Sequence, residues 1–308
     1  MSTVLPVNAP TASTIQPWLL HMLTVNTLNF CSFAMCLDGI PQPPFVAQAI
    51  QPKTTAKPIL LAVPNTIDSG GIDIYQLPAE TRAAVIHAER NLTTGMVMAL
   101  AILAESTRLQ VAAGYESGHT MVFVQNDPGA TFQRLYCARP HSQPVLSMAI
   151  HPSKDCYLTS SAGAILAKHP LPTEKGIWNT ELKPLKVSQT KHSGQQGLRI
   201  RSDGKVFATA GWDARIRVYS AKTMKELAVL KWHKLGCYAT AFAAVGLSAS
   251  AEMGEKDLPE GERSNAVVDV HESTIATNVQ KRREEKAQST HWLAAGSKDG
   301  KVSLWEIY

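Results

Sequence analysis

The chain reads Lys205-Val-Phe-Ala-Thr-Ala-Gly-Trp-Asp-Ala-Arg-Ile-Arg-Val-Tyr219 at one point and Trp292-Leu-Ala-Ala-Gly-Ser-Lys-Asp-Gly-Lys-Val-Ser-Leu-Trp305 at another, and these two stretches align without a gap. In both, a short apolar run ends in small residues, and an Asp follows (Asp213, Asp299). An aromatic residue then stands six positions after each Asp. This pattern predicts two strands joined by a tight turn, an antiparallel hairpin that the chain repeats.

The same strand rhythm continues upstream in weaker form. Strand–turn–strand units begin near Ile59, Arg108 and Tyr157. The second strands of the five units carry the landmarks Tyr75, Phe123, Ala167, Tyr219 and Trp305. The first four landmarks are about 44 to 52 residues apart, close to the ~40–45 residues of a WD-type β-propeller blade. The sequence therefore predicts an all-β WD-repeat β-propeller of five recognisable blades, a single domain over residues 1–308.

Each upstream unit also has candidate flanking strands, which would complete a four-stranded blade. The predicted first strands run over 27–35, 96–103 and 145–150, and the outer strands over 82–88, 132–137 and 182–188. The last blade shows strands over 238–243, 292–296 and up to Trp305, with no fourth strand before the chain ends. Five blades, the last one incomplete, are thus expected.

Two segments are predicted to be disordered. Residues 1–16 precede the first apolar run. Residues 244–290 lengthen the last blade, are rich in charge and hold no Phe, Tyr or Trp, so they cannot bury enough apolar surface to fold alone. A helical turn is expected only near residues 278–287. Without this insertion the last landmark interval falls from 86 to about 39 residues, which restores the blade rhythm.

The polar residues around the two clear hairpins predict a buried hydrogen-bond network. A turn carboxylate can accept from backbone N–H groups and from a His on the loop leading into the same sheet, and the aromatic residue can close the chain with its own N–H or O–H. The second set lacks a hydroxyl, because Ala295 occupies that position. The predicted members are His192, Thr209, Asp213 and Tyr219 in the first set and His233, Asp299 and Trp305 in the second.

A hydroxyl, a His and an Asp also raise a catalytic interpretation. A triad needs a nucleophile exposed in a cleft beside an oxyanion hole, whereas these groups are expected inside packed strands. The chain has no Gly-x-Ser-x-Gly elbow and no phosphate-binding glycine loop. The sequence therefore favours a protein that is not an enzyme.

Composition and charge exclude several classes of function. Of the 308 residues, 44% are hydrophobic and 18% charged, which is ordinary for a globular domain, and the net charge is +5. The one dense basic run, Lys281-Arg282-Arg283, is followed at once by Glu284-Glu285, so direct nucleic-acid binding is not expected. The longest apolar run, residues 96–104, is about half of the ~20 residues of a membrane span.

The five cysteines form no Cys-x-x-Cys pair, which indicates reduced thiols in a cytosolic or nuclear compartment. Cys137 and His141 share a spacing seen in metal sites, but no second ligand pair accompanies them. The sequence thus predicts neither a metal nor a cofactor.

Rigid turns at one end of a propeller suit a protein-interaction platform, because such turns lose little entropy on binding. The candidate partner surface consists of Trp212 and Arg215, which flank the Asp213 turn, and Lys298 beside Asp299. Trp and Arg are enriched at binding hot spots. For Trp212 the alternative is that its ring merely packs on the adjacent blade, and the residues alone leave the two interpretations open.

Three stretches also carry a family resemblance: Lys222-Thr-Met-Lys-Glu-Leu-Ala-Val-Leu-Lys-Trp-His233, residues 294–308, and Leu23-Thr-Val-Asn-Thr-Leu-Asn-Phe-Cys31. Over most of residues 20–308 the chain resembles the ASTRA-associated protein 1 family of fungal WD-repeat proteins, which is similar to the animal G-protein-β-subunit-like protein 1. The resemblance implies a seven-bladed fold, of which this chain would lack two N-terminal blades.

The same resemblance implies a nuclear subunit of the ASTRA assembly, linked to chromatin regulation, with the cytoplasm as a second location. Its implied partners are a Tel2–Tti1–Tti2 type co-chaperone, Rvb-type AAA+ ATPases and a kinase-like protein. The alternative is a generic WD-repeat adaptor of another nuclear or cytosolic complex, without a link to ASTRA.

Overall fold

A computed structural model of the chain describes residues 19–26, 30–38, 58–105, 108–172, 183–245, 282–284 and 286–307. Within these ranges the chain forms nineteen β-strands that pair antiparallel into five sheets, each built from consecutive strands. The sheets are blades 1 to 5 in chain order. The described residues are almost entirely strand and turn, apart from a short helical segment at 282–284 and 286–289.

Blade 1 consists of β1 (Ala34–Leu37), β2 (Ile59–Pro64), β3 (Ile72–Leu77) and β4 (Thr81–Ile86), and blade 2 of β5 (Val97–Glu105), β6 (Arg108–Tyr115), β7 (Thr120–Gln125) and β8 (Gln133–Ala138). Blade 3 consists of β9 (Val145–Ile150), β10 (Cys156–Ser161), β11 (Ile165–Pro170) and β12 (Lys186–Gln189). Blade 4 consists of β13 (Gln195–Ile200), β14 (Val206–Gly211), β15 (Ile216–Ser220) and β16 (Glu226–Leu230), and blade 5 of β17 (Cys237–Phe242), β18 (Trp292–Ser297) and β19 (Val302–Glu306).

The blades radiate from a common centre. The first strands of successive blades contact one another in the order β1, β5, β9, β13 and β17, and all five line one central cavity of about 560 Å³. Four apolar clusters fill the spaces between neighbouring blades, one for each pair. Because middle strands such as β6, β7, β10 and β14 are covered on both faces, they are buried at nearly every position, and their few polar side chains are mainly hydroxyl or amide groups.

This architecture confirms the prediction of an all-β propeller with about five blades. Several strand bounds agree with the prediction, among them β2 at Ile59–Pro64 and β9 at Val145–Ile150. The first strand of blade 1 is shorter than expected, Ala34–Leu37 instead of residues 27–35, of which residues 27–29 lie outside the described part.

Blade 5 has three strands among the described residues, where the other blades have four. Most of the two segments predicted to be disordered lies outside the described residues, and within the second segment residues 282–284 and 286–289 are helical and exposed. Among the described residues, no helix has the length and apolar character needed to cross a membrane.

Candidate interaction surface and the networks beneath it

In blade 4 the buried network forms around Gln195, a residue that the sequence analysis missed. The Gln195 side-chain oxygen accepts hydrogen bonds from Thr209 Oγ1 at 3.0 Å and from the Tyr219 hydroxyl at 3.4 Å. Its amide nitrogen donates to Thr190 Oγ1 at 2.9 Å and to the backbone oxygen of His192 at 3.2 Å. The structure therefore brings Thr209 and Tyr219 together, with His192 contributing its main chain and Gln195 occupying the expected position of the His ring.

Asp213 lies outside this network, which corrects its expected link to a His and an aromatic residue. Its carboxylate forms a two-point ion pair with Arg217, with N–O distances of 2.6 and 3.1 Å, and accepts from the backbone N–H of Arg215 at 3.3 Å. The Arg217 side chain is only 4% exposed. Partial burial acts to raise the pKa of Asp213, but the hydrogen bond and charge of Arg217, together with the Arg215 N–H and the nearby His192, lower that pKa. Asp213 thus holds a buried guanidinium at the turn.

In blade 5 the structure supplies the hydroxyl that the sequence analysis found missing at Ala295. Ser303 on β19 is directly opposite Ala295 on β18, so both side chains point to the same face. Ser303 Oγ accepts from Trp305 Nε1 at 2.8 Å and lies 2.8 Å from His233 Nε2. His233 and Trp305 are therefore joined as a set, through a residue one strand away from the expected position.

Asp299 stays apart from that set. Its carboxylate accepts from the backbone N–H of Lys301 at 3.2 Å and lies 3.6 Å from the Lys301 ammonium. Partial desolvation acts to raise the pKa of Asp299, but the hydrogen bonds and charge of the turn leave it lower than usual. Asp299 therefore stabilises its own turn and not the buried core.

Blade 3 contains a third network, although its strands carry neither the Asp nor the aromatic landmark. His141 Nε2 lies 2.8 Å from Thr159 Oγ1, which lies 2.9 Å from His169 Nε2. The other ring nitrogen of His169 is 2.9 Å from the hydroxyl of Tyr136 on blade 2. Burial lowers the pKa of His141 to about 4. Burial and the nearby His141 together lower the pKa of His169 well below its usual range. Both rings are therefore neutral near neutral pH, and His141 serves the network, not a pair with Cys137.

One group of described side chains has metal-ligand types close together: the ligand atoms of His151, Asp155 and Cys156 lie within 4.8 Å of one another. The His151 ring nitrogens are already engaged, one with Ser153 Oγ at 2.6 Å and the other with the backbone oxygen of Gly204 at 2.9 Å. Burial and the Asp155 hydrogen bond raise the pKa of Cys156 to about 12, which disfavours the thiolate that binds metals. The His151 ring instead links the turn between β9 and β10 of blade 3 to the turn between β13 and β14 of blade 4.

Trp212 is 45% exposed on the turn between β14 and β15. One face of the indole lies against Gly194, where a Cβ atom would stand 2.2 Å from ring atom Cε3 and where φ is +73°. The indole N–H donates to the side-chain oxygen of Gln196 at 2.8 Å. The Trp212 ring therefore packs on its own blade, not on the adjacent blade considered from sequence, and nearly half of its surface stays exposed.

The turn of Trp212 meets the loop that leads into blade 5 at Gly236. A Cβ atom on Gly236 would stand 3.0 Å from the backbone oxygen of Trp212, and the backbone oxygen of Gly236 accepts from the N–H of Lys298 at 2.9 Å. The same loop carries exposed Trp232 and Leu235, which the sequence analysis did not single out. We call this surface the turn face; it comprises Trp212, Arg215, Lys231, Trp232, Lys234, Leu235 and Lys298.

Comparisons with known proteins agree with this architecture. The WD domain, G-beta repeat family matches residues 183–220 and 285–306, which contain all four strands of the two aligned hairpins. The chain is 49% identical to ASTRA-associated protein 1 of Penicillium rubens, in an alignment that covers 100% of this chain and 77% of that protein.

Two further relatives extend the comparison. ASTRA-associated protein 1 of Verticillium alfalfae is 47% identical, over 100% of this chain and 71% of the relative. Guanine nucleotide-binding protein subunit beta-like protein 1 of Mus musculus is 34% identical, over 81% of this chain and 60% of the relative. Since nearly half of the residues are identical along the entire chain and the fold is one of antiparallel blades, this protein belongs to the ASTRA-associated protein 1 family of WD-repeat proteins.

Proposed function

We propose that this protein is a non-catalytic interaction scaffold that serves as a subunit of the ASTRA assembly. The name shared by its relatives supports the link to ASTRA, and the WD repeats support the scaffold role. The polar clusters of the described residues also favour a structural role, because the His, Thr, Gln and Ser side chains that form them in blades 3, 4 and 5 are buried and hydrogen-bonded within each cluster.

The observation that carries the proposal is the turn face. It presents three large apolar side chains, Trp212, Trp232 and Leu235, about half exposed, on short turns anchored to the sheets by backbone hydrogen bonds. Anchored turns lose little conformational entropy when a partner binds, and exposed Trp is the residue type most enriched at binding hot spots. Such a surface suits recognition of another protein.

At a finer level we propose a nuclear location and, as partners, the Tel2–Tti1–Tti2 type co-chaperone, Rvb-type AAA+ ATPases and the kinase-like protein that the family resemblance implies. The competing proposal is a generic WD-repeat adaptor of another nuclear or cytosolic complex. Both use the same fold, so only the identity of the bound proteins separates them.

The test is affinity purification of the tagged chain from its own cells, followed by mass spectrometry and a parallel purification from untagged cells. We expect the tagged chain to enrich the ASTRA subunits together. Enrichment of a different, equally defined complex without them would favour the generic adaptor. Turnover of an ester, phosphate or nucleotide substrate by the purified chain would contradict the non-catalytic role.

A further inference from the structure

The turn face combines apolar and cationic groups at one end of blades 4 and 5. Its apolar members Trp212, Trp232 and Leu235 stand beside four cationic side chains, which are Arg215, Lys231, Lys234 and Lys298. The three lysines are exposed, and Arg215 is partly so. Tyr238, at the start of β17, continues this surface into the central cavity.

The positive charge of the turn face is not neutralised within the described part of the chain. None of its four cations forms an ion pair with a described carboxylate, whereas the two acids of the same turns already have cationic partners. Asp213 is paired with the buried Arg217, and Asp299 lies beside Lys301. The turn face thus has four uncompensated cations around exposed indole and aliphatic groups.

We infer that the turn face binds an acidic peptide segment that carries an aromatic or aliphatic side chain; this deepens the proposed scaffold function and rests on it. The apolar side chain would pack on Trp212, whose ring is held by Gly194 and by the bond to Gln196 and so loses little freedom on binding. Flanking carboxylates would pair with the lysines, and that charge complementarity steers association and selects the partner.

A nucleic acid is the less suitable ligand for the same cations. A nucleic-acid strand carries a phosphate at every nucleotide, so a strand crossing this surface would bring phosphates close to Asp213 and Asp299. The Asp213 and Asp299 side chains are 38% and 19% exposed, so both carboxylates are accessible to such a strand. A peptide can carry carboxylates opposite the lysines and uncharged residues opposite Asp213 and Asp299. Peptide binding therefore avoids the repulsion that phosphates would meet at these two carboxylates.

The experiment selects peptides from a random-sequence display library on the immobilised, full-length chain. We expect the selected peptides to be enriched in Asp and Glu together with an aromatic or aliphatic residue. A synthetic, fluorescein-labelled copy of the most enriched peptide is then titrated with protein variants and followed by fluorescence anisotropy. Failure to select peptides, or selection of neutral or basic ones, would overturn the inference.

The informative variant is K234E/K298E, which reverses two exposed charges on the turn face. Its matched control is K222E/K225E, the same charge change on exposed lysines at the turn between β15 and β16, the other end of blade 4. We expect K234E/K298E and W212A to weaken binding about tenfold or more, and the control to bind like the wild type. Equal binding by K234E/K298E and K222E/K225E, or tighter binding of oligothymidylate than of the peptide, would refute the inference.

Thermal melts of all variants show whether W212A is folded, and K234E/K298E changes only exposed side chains, so it tests the charges independently of folding. The two proposals can fail separately. If the K234E/K298E chain purifies with its complex as the wild type does and the library yields no acidic peptides, the inference fails and the scaffold function stands. If acidic peptides bind the turn face but the tagged chain enriches no complex, the scaffold proposal fails.

Discussion

The hydroxyl of Ser303 shows how one side chain can complete a network from an unexpected strand. It is shared by His233 and Trp305, and Ala295, where the sequence predicted the hydroxyl, lies directly opposite on β18. The offset of six residues from Asp to aromatic located Trp305 correctly, but the hydroxyl could be found only from the pairing of β18 with β19. The Ser303–Trp305 bond lies along β19, but the Ser303–His233 bond joins β19 to the loop before β17, 70 residues away in the chain, where spacing gives no guide.

We expect Ser303→Ala to lower the free energy of unfolding by about 1–3 kcal/mol, because it leaves the buried His233 and Trp305 nitrogens without a shared partner. Urea denaturation measures the change. The double variant A295S/S303A moves the hydroxyl to the opposite strand on the same face and should recover part of the loss. An unchanged urea midpoint for S303A would mean that the shared hydroxyl contributes nothing to stability.

Asp213→Asn tests the ion pair with Arg217. Because the carboxylate is 38% exposed, solvent screening reduces the contribution of the ion pair to stability. We expect D213N to lower the free energy of unfolding by about 1 kcal/mol at neutral pH. The pKa of Asp213 is lower in the folded than in the unfolded protein, so its contribution is present above about pH 4 and is lost as the pH falls through the folded-state pKa. The gap between wild type and D213N should therefore close in acid.

The control for this prediction is Asp299→Asn, since the cationic partner of Asp299 is the exposed Lys301 at 3.6 Å, whereas that of Asp213 is the buried Arg217 at 2.6 Å. We expect D299N to change the unfolding midpoint less than D213N does. A larger effect of D299N, or a D213N gap that persists in acid, would contradict the assignment of the Arg217 ion pair.

At the scale of elements, β19 is the distinctive strand of the fold. It is the outermost strand of blade 5 among the described residues, and Leu304 on its exposed face is 67% accessible. An unpaired edge with exposed aliphatic side chains is a site where chains associate. In each of the other four blades a fourth strand pairs with the third strand. Among the described residues, only blade 5 therefore has its third strand at the outer edge of the sheet.

Leu304→Lys should therefore reduce self-association with little change in stability, within about 0.5 kcal/mol, because the side chain is already in solvent. Light scattering during concentration measures the association, and a thermal melt measures the stability. Leu227→Lys is the matched control, an exposed leucine on β16, the outer strand of a complete blade. Equal suppression of association by both variants would rule out a special role of the β19 edge.

At the scale of the whole molecule, the blades are held together by close contacts between neighbours. Gly114 on β6 faces Val145 on β9, and a Cβ at Gly114 would stand 2.5 Å from Val145 Cγ1. The hydroxyl of Thr120 on blade 2 is 2.9 Å from that of Tyr157 on blade 3, next to the Tyr136–His169 contact. Blades 2 and 3 are therefore joined by both apolar packing and buried polar bonds.

We expect Gly114→Ala to destabilise the protein by about 1–3 kcal/mol, because the added methyl group forces the two blades apart. Gly163→Ala is the control, since a Cβ there meets its nearest neighbour at an ordinary 3.5 Å. Chemical denaturation of both variants gives the comparison. If G114A were as stable as G163A, the spacing between the blades would be looser than the structure indicates.

Protonation of the buried His141 is expected to weaken the fold in mild acid. The folded-state pKa of about 4 lies below the unfolded value near 6.5, so full stability is present above about pH 6.5 and falls as the pH drops toward the folded pKa. The loss between pH ~7 and pH ~5 should be on the order of 2 kcal/mol. Unfolding of the wild type and of His141→Gln across this range measures it, and equal slopes for the two proteins would exclude His141 as the cause.

The order of hydrophobic and turn residues by itself determined the blade count, most strand positions and the turns that carry Trp212, Arg215 and Lys298, because strands and tight turns depend on residues near one another in the chain. Tertiary structure alone decided which groups meet: Gln195 instead of the His192 ring, Arg217 with Asp213, Ser303 between His233 and Trp305, and the Gly236 loop against the turn of Trp212. Those contacts depend on strand register and on the packing of one blade against the next, and a single sequence does not encode these as a local pattern.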